Sequence, residues 1–140
     1  MQINVSMKKT IAIILLALQL MLCAACGGSK VKLNLPAESD VLCATITHGG
    51  KSETIEAGEK LNELLYALAN VDTKSKESYH DAPQGKDHIK IGFELTGGRS
   101  SDFFYLYKDE DGFFIEQPYH GIFSIDEAKY SALLSFASDI

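Results

Sequence analysis

The sequence predicts an α+β domain in which an antiparallel sheet of about five strands carries two helices on one face. Five segments have the β-branched or alternating composition of strands, and two have apolar residues at helical spacing. Short turns with glycine or acidic residues join most of the strand segments. The predicted element order is β-β-α-β-β-β-α, which is typical of an antiparallel sheet with helices packed on one side.

The first half of the domain predicts a hairpin followed by a helix. Val41 to Thr47 is rich in β-branched residues, and the turn His48 to Lys51 joins this strand to a second one, Ser52 to Glu56. The period then changes to that of a helix that ends near Asn70. Its core residues lie at i, i+3, i+4 and i+7 and are Leu61, Leu64, Leu65 and Leu68.

Residues 71–87 form the longest stretch without a periodic pattern. Loops of this length are uncommon in compact domains unless they are functional or disordered. The stretch is therefore the first place to look for a binding site, with a solvated connection as the alternative.

The second half predicts a three-stranded meander and a terminal helix. Ile89 to Leu95 alternates between apolar and polar residues, and strands follow at Asp102 to Tyr107 and Phe113 to Gln117. Ser124 and Glu127 have the spacing of a capping box that would start the last helix. The buried stripe of this helix is predicted to be Tyr130, Leu133, Leu134 and Ala137.

The predicted strand after Asp102 has large apolar groups on both faces. If Phe104 and Leu106 pack beneath the helices, then Phe103, Tyr105 and Tyr107 face the opposite side of the sheet. An exposed aromatic stripe would be a binding surface. The alternative is that the linker, the loop or the terminal segment covers the stripe.

The N-terminus has the layout of a secretory signal peptide. Lys8 and Lys9 precede an apolar run from Ile11 to Leu22, interrupted only by Gln19. A run of this length is too short to cross a hydrocarbon core of about 30 Å at about 1.5 Å per residue. The segment is therefore predicted to be cleaved rather than to remain as a transmembrane helix.

The stretch from Leu22 to Ser29, LCAACGGS, resembles the lipobox of bacterial lipoproteins. Cys26 follows two alanines, whereas Cys23 follows the bulky pair Met21-Leu22. The resemblance implies lipidation of Cys26 and loss of Cys23, which stands where that family usually has leucine. A doubly acylated Cys26 would hold the protein on the outer face of the cytoplasmic membrane.

The chain is thereby divided into a signal peptide (1–25), a lipid anchor with a flexible linker (26–40) and one extracytoplasmic α+β domain (41–140). Removal of the signal peptide takes away two lysines, which leaves eleven basic against nineteen acidic residues and a net charge of −8. An acidic chain gains nothing from a polyphosphate backbone, so nucleic acid is excluded as a partner.

No group of residues has the spacing of a catalytic or metal site, and no catalytic residue, metal or cofactor is predicted. The chain has no glycine-rich nucleotide motif and no nucleophile elbow. Cys43 has no base beside it in sequence and is predicted to be a half-buried strand residue. No two histidines have the i, i+4 spacing of a metal site on a helix. The four histidines are His48, His80, His88 and His120.

The segment FFIEQPYHGIFSID, from Phe113 to Asp126, is the most distinctive part of the domain. Pro118 ends the strand and Gly121 allows a sharp turn, which would place Tyr119 and His120 at a corner with their polar tips outward. The corner could be locked by its own side-chain hydrogen bonds, or it could contact a ligand.

This segment and the tyrosine-rich strand before it resemble small lipoproteins of Gram-positive bacteria that carry one domain of unknown function. The shared features are the Glu-Gln-Pro-Tyr strand end, the Gly-Ile pair and the strand from Phe104 to Tyr107. The resemblance extends over about residues 41–134. It implies a location and a domain extent, and it supplies no activity.

The favoured hypothesis is a non-enzymatic binding module at the cell surface, with a protein, peptide or cell-wall component as ligand. The alternative is a small surface hydrolase or metal-dependent enzyme that uses His80, His88 or His120. A solute-capturing lipoprotein is disfavoured because it needs two lobes around a cleft. The candidate binding surface consists of Phe103, Tyr105, Tyr107, Gln117, Tyr119 and His120.

Overall fold

The computed structural model describes residues 30–138. Its strands are β1 (Val41–His48), β2 (Lys51–Glu56), β3 (Lys74–Lys76), β4 (His88–Leu95), β5 (Arg99–Ser100), β6 (Phe104–Asp109), β7 (Gly112–Gln117) and β8 (Gly121–Ile125). Its α-helices are α1 (Glu59–Ala69) and α2 (Glu127–Leu134). The strands form a single sheet in the order β2-β1-β4-β6-β7-β8-β3, and β5 pairs with the end of β4.

The prediction of a five-stranded sheet is wrong, because the sheet has eight strands and the fold is richer in sheet than the sequence indicated. β3, β5 and β8 were missed. β3 is a polar segment, Lys-Ser-Lys, that pairs with β8 at the edge of the sheet, where lysine is common. β8 directly follows the corner after Pro118 and pairs with β7 over five positions.

One face of the sheet, the inner face, packs on both helices. Ile91 and Phe104 lie opposite each other in register, as do Leu106 and Ile115, and all four are almost completely buried. The four leucines predicted for α1 are buried in the same cluster as these strand residues. Burial of this apolar surface is the main stabilising contribution to the fold.

The start of α2 differs from the predicted capping box. Ser124 lies within β8, and the N-cap is Asp126, whose carboxylate accepts a hydrogen bond of 2.7 Å from the backbone N–H of Lys129. Leu133 is buried as expected, whereas Leu134 remains 40% exposed. The chain beyond Leu134 continues as a 3₁₀ turn whose Phe136 and Ala137 return to the core.

Residues 31–35, assigned to the flexible linker by the sequence, pack against the domain. Leu33 is buried in the core cluster, and Val31 and Leu35 pack against it. The backbone N–H of Asn34 donates a 2.8 Å hydrogen bond to the side chain of Gln117. Residues 31–35 are therefore part of the packed domain, because their alternate apolar side chains lie in or against the core.

Candidate functional site

The face of the sheet opposite the helices, the outer face, carries the tyrosines of β6. Tyr105 lies opposite Glu116 and Tyr107 lies opposite Phe114, so these four side chains share one face. The predicted orientation of Tyr105 and Tyr107 away from Phe104 and the core is thus as expected.

Residues 77–87, here called the strap, lie over this part of the outer face. Ser78 is buried, and its hydroxyl donates a 2.6 Å hydrogen bond to the Oε1 atom of Glu116. At the other end, the Lys86 ammonium pairs with Asp109 and lies 4.7 Å from the centre of the Tyr107 ring. These contacts fix both ends of the unpatterned stretch.

Because the strap covers them, Tyr105 and Tyr107 are only 5% and 3% exposed. Of the two possibilities left open by the sequence, an exposed or a covered aromatic stripe, the covered one therefore holds for both tyrosines. The covering segment is the strap. Phe103 is 41% exposed, and its ring lies against Gly92, where a Cβ atom would approach the ring to 2.9 Å. A glycine at position 92 is what allows Phe103 to lie flat on the sheet.

The corner between β7 and β8 connects three parts of the chain. The Tyr119 backbone adopts a left-handed conformation, with φ of 59°, which is uncommon for a residue other than glycine. Its hydroxyl donates a 2.6 Å hydrogen bond to Asp81 of the strap. His120 donates through Nε2 to the carbonyl of Lys32 at 2.7 Å. Tyr119 and His120 do lie at the corner, held by side-chain hydrogen bonds.

Gln117 is completely buried at the start of the corner. It accepts a hydrogen bond from the Asn34 N–H and donates one of 3.1 Å to the Asn34 carbonyl, as a neighbouring strand would. Its amide also donates to Asp102 at 3.3 Å. Gln117 is thus a structural connection to the N-terminal segment, and the structure places it away from any exposed surface.

A first cavity, of about 310 Å³, lies between the strap and strands β6 to β8. Glu116, Tyr107 and His80 are among its lining residues. Burial and the nearby carboxylates of Glu116 and Asp109 raise the pKa of Tyr107, which keeps its phenol protonated. The lining carries both signs of charge, since Lys86 and Glu77 also border it.

A second cavity, of about 400 Å³, opens beside the corner and is here called the acidic cavity. Five of its lining residues are acidic or aromatic: Asp81, Asp102, Phe103, Tyr105 and Tyr119. Burial, and then the Asp81 and Glu116 carboxylates, raise the pKa of Tyr105. The hydrogen bond to Asp81 raises the pKa of Tyr119. Both phenols therefore remain neutral donors at physiological pH.

The acidic cavity brings together three of the six predicted surface residues: Phe103, Tyr105 and Tyr119. Tyr107 borders the first cavity, while Gln117 and His120 bind the N-terminal segment. Asp81 and Asp102 were not among the predicted surface residues. Asp81 lies in the unpatterned stretch and Asp102 at the start of a predicted strand, and only the sheet register and the path of the strap bring them to one cavity.

The histidines are dispersed across the described residues. His48 lies 3.3 Å from Asp87, His88 meets the Tyr105 ring edge-on with centroids 5.0 Å apart, and His80 borders the first cavity. Within residues 30–138, no three His, Cys, Asp or Glu side chains are grouped as a metal site would require. The histidines of the alternative enzyme hypothesis are therefore not joined to one another by any of these contacts.

Cys43 is a buried residue of β1, and its thiol lies 3.6 Å from the Glu94 carboxylate. Burial and this carboxylate raise the pKa of the Cys43 thiol, so little of the nucleophilic thiolate forms. The prediction of a strand residue is confirmed, although Cys43 is buried rather than half-buried. Cys26 and the signal peptide lie outside the described residues, and none of the helices within residues 30–138 has the length and apolarity needed to cross a membrane.

Comparison with solved structures identifies a similar fold in a protein from Ruminococcus gnavus, whose structure was determined by NMR. The TM-score is 0.56 at 24% sequence identity, and the match covers 73% of this chain and 99% of that chain. At this identity the likeness concerns the fold alone. No curated protein matches the chain.

Residues 29–124 match the model of one protein family, DUF5301. This family is described as a domain of unknown function (DUF5300). The match starts before the N-terminal segment and ends in β8, whereas the resemblance noted from the sequence began at β1. It includes the strap, the corner and every residue lining the two cavities. Since the match covers more than half of the chain, this protein belongs to the DUF5301 family of domains of unknown function.

Proposed function

We propose that this protein is a lipid-anchored binding module on the outer face of the cytoplasmic membrane, and that it binds its ligand on the strap side of the sheet. The main support for a binding role is a set of exposed aromatic side chains around the strap. Tyr79 and Tyr119 are 74% and 68% exposed, and Phe103 is 41% exposed. Aromatic side chains are enriched at binding interfaces because they bury a large area and lose little entropy.

The two cavities on the same side give this surface a concave shape. The strap crosses the sheet between a fixed point at Ser78 and another at Lys86, and cavities open along it. Clefts with apolar walls and a few polar groups are the usual form of ligand sites. No comparable observation favours the hydrolase alternative.

The location rests on the sequence of the signal peptide and on the lipobox resemblance at Cys26. The family match begins at residue 29, so the proposed leader and lipidation site precede the matched domain. Two acyl chains on one cysteine give stable membrane attachment, which a single chain does not.

Replacement of Cys26 by alanine should abolish lipidation. In a Gram-positive host, we expect Cys26→Ala to incorporate no labelled palmitate and to accumulate as unprocessed precursor or to leave the membrane fraction. Cys23→Ala is the matched control, because this cysteine is expected to leave with the signal peptide. Unchanged labelling of Cys26→Ala would contradict the anchor proposal.

A photo-crosslinking residue placed on the strap should capture the ligand selectively. We expect crosslinks on intact cells when the residue replaces Tyr79, and none above background when it replaces Tyr66 of α1. The two tyrosines are equally exposed, at 74% each, but Tyr66 belongs to a helix on the other side of the sheet. Equal labelling from both positions would refute a binding role specific to the strap side.

A further inference from the structure

The acidic cavity differs in charge from the first cavity. Two of its seven lining residues, Asp81 and Asp102, are carboxylates, and none is Lys, Arg or His. The first cavity is also bordered by Lys86 and His80. The acidic cavity is therefore suited to a cation rather than an anion.

Each carboxylate of this cavity keeps one oxygen available. Asp81 accepts the Tyr119 hydroxyl through Oδ1, and Asp102 accepts the Gln117 amide through Oδ2. No donor within residues 30–138 reaches the other oxygen of either residue. Each carboxylate is thus oriented by a neutral donor, and within residues 30–138 neither forms a salt bridge with a Lys, Arg or His side chain.

A nearly buried tyrosine side chain provides an independent indication of a ligand. Tyr105 lines the acidic cavity, is only 5% exposed, and its hydroxyl has no hydrogen-bond partner in the described part of the chain. Within residues 30–138, the fully buried side-chain oxygen without a partner is Oε2 of Glu53, so the Tyr105 hydroxyl is the part of this side chain that stays accessible from the cavity. A ligand in the cavity can therefore contact it directly.

The aromatic walls suit an organic cation. Phe103 and Tyr119 border the cavity, and rings of this kind attract ammonium groups through their faces. The Phe103 ring already holds the Lys90 ammonium 3.6 Å from its centre, so the ring available to a ligand is that of Tyr119, which is 68% exposed. Lys90 is not among the lining residues, so its charge does not fill the cavity.

We propose that the acidic cavity binds a primary ammonium group, held between Asp81 and Asp102, with the Tyr105 hydroxyl as an acceptor for one of its N–H donors. This inference names a ligand class for the proposed binding module. It rests on the proposed function only because the acidic cavity lies on the strap side of the sheet, where the ligand of the module is proposed to bind. A free diamine and the lysine side chain of a peptide both present this group.

Calorimetric titration of the full chain in detergent micelles tests the proposal. The probes are 1,5-diaminopentane, the amide of Nα-acetyl-lysine, and 1,5-pentanediol as the neutral control. We expect saturable binding of the ammonium probes and none of the diol. Tighter binding of the diamine would indicate a free amine as ligand, and tighter binding of the lysine amide would indicate a peptide.

Four variants locate the binding. Asp81→Asn and Asp102→Asn should each weaken it about tenfold, because a charged hydrogen-bond acceptor is lost. Asp111→Asn removes the same charge at the exposed β6–β7 turn, away from the cavity, and should leave binding unchanged. Tyr105→Phe should weaken binding without lowering the midpoint of thermal unfolding, since its hydroxyl has no internal partner to lose.

Two results would overturn the proposal: no saturable binding of either ammonium probe, or an equal loss of binding in Asp111→Asn and Asp102→Asn. Either result combined with strap-selective crosslinking from position 79 would reject the ligand class while retaining the binding module. Loss of strap-selective crosslinking alongside cavity-dependent ammonium binding would reject the proposed cellular interaction surface and retain the site.

Discussion

Replacement of Phe104 by alanine is expected to lower the free energy of unfolding by about 3–5 kcal/mol. Phe104 is completely buried at the centre of the inner face, opposite Ile91, and its ring meets that of Phe93 with centroids 5.9 Å apart. Truncation removes apolar contacts and leaves a cavity that the surrounding strands cannot close. Urea denaturation followed by far-ultraviolet circular dichroism measures the loss.

The adjacent Phe103 provides the matched control, because it is the same residue type on the opposite face. Phe103→Ala removes a ring that is 41% exposed and that contacts Gly92 and Lys90. We expect a loss of no more than about 1 kcal/mol, the scale of an exposed cation–π contact. Equal destabilisation by both variants would contradict the assignment of the two faces.

Replacement of Gln117 by leucine is expected to cost about 2–3 kcal/mol and to release the N-terminal segment from the domain. The leucine fills the buried space but leaves the N–H and carbonyl groups of Asn34 without their partners. Limited trypsin digestion measures the release, because cleavage after Lys32 requires the segment to open. We expect this cleavage to become faster in Gln117→Leu.

Two comparisons make this result specific. Cleavage after Lys51, the exposed first residue of β2, serves as the internal reference and should not change. Gln84→Leu makes the same substitution at an exposed position of the strap and should leave the Lys32 rate unaltered. If Gln117→Leu keeps both the wild-type stability and the wild-type rate after Lys32, the connection we describe has no energetic role.

The sequence predicted those elements whose pattern is local and amphipathic. β1, β2 and β4 have the period of strands, and α1 has four leucines at helical spacing. These elements need no knowledge of distant residues, because each has one apolar face of its own. The same logic gave the correct facing of Phe104 and Tyr105.

The missed strands depend on partners that the local sequence does not indicate. β3 is Lys-Ser-Lys, which has no apolar face, and becomes a strand because β8 offers it an unpaired edge. β5 has two residues and exists through its pairing with Glu94 and Leu95. Propensity and periodicity cannot identify such strands, since their stabilising contacts come from remote segments.

The candidate site was only partly predictable for the same reason. The sequence indicated the aromatic residues and left open whether they were exposed or covered. Coverage was decided by two contacts between distant residues, Ser78 with Glu116 and Tyr119 with Asp81. The signal that could have indicated them is the length of the unpatterned stretch together with its mixture of serine, histidine, aspartate and proline.

The hydrogen bond from His120 to Lys32 also limits how far the domain can move from a lipidated Cys26. Lys32 follows Cys26 by six positions, and six residues span at most about 21 Å when fully extended. The corner, and the acidic cavity beside it, would then operate within a thin layer above the lipid headgroups. Ligands carried by membrane-embedded neighbours or concentrated at the bilayer surface would have the readiest access, while those bound to the distant wall would be out of reach.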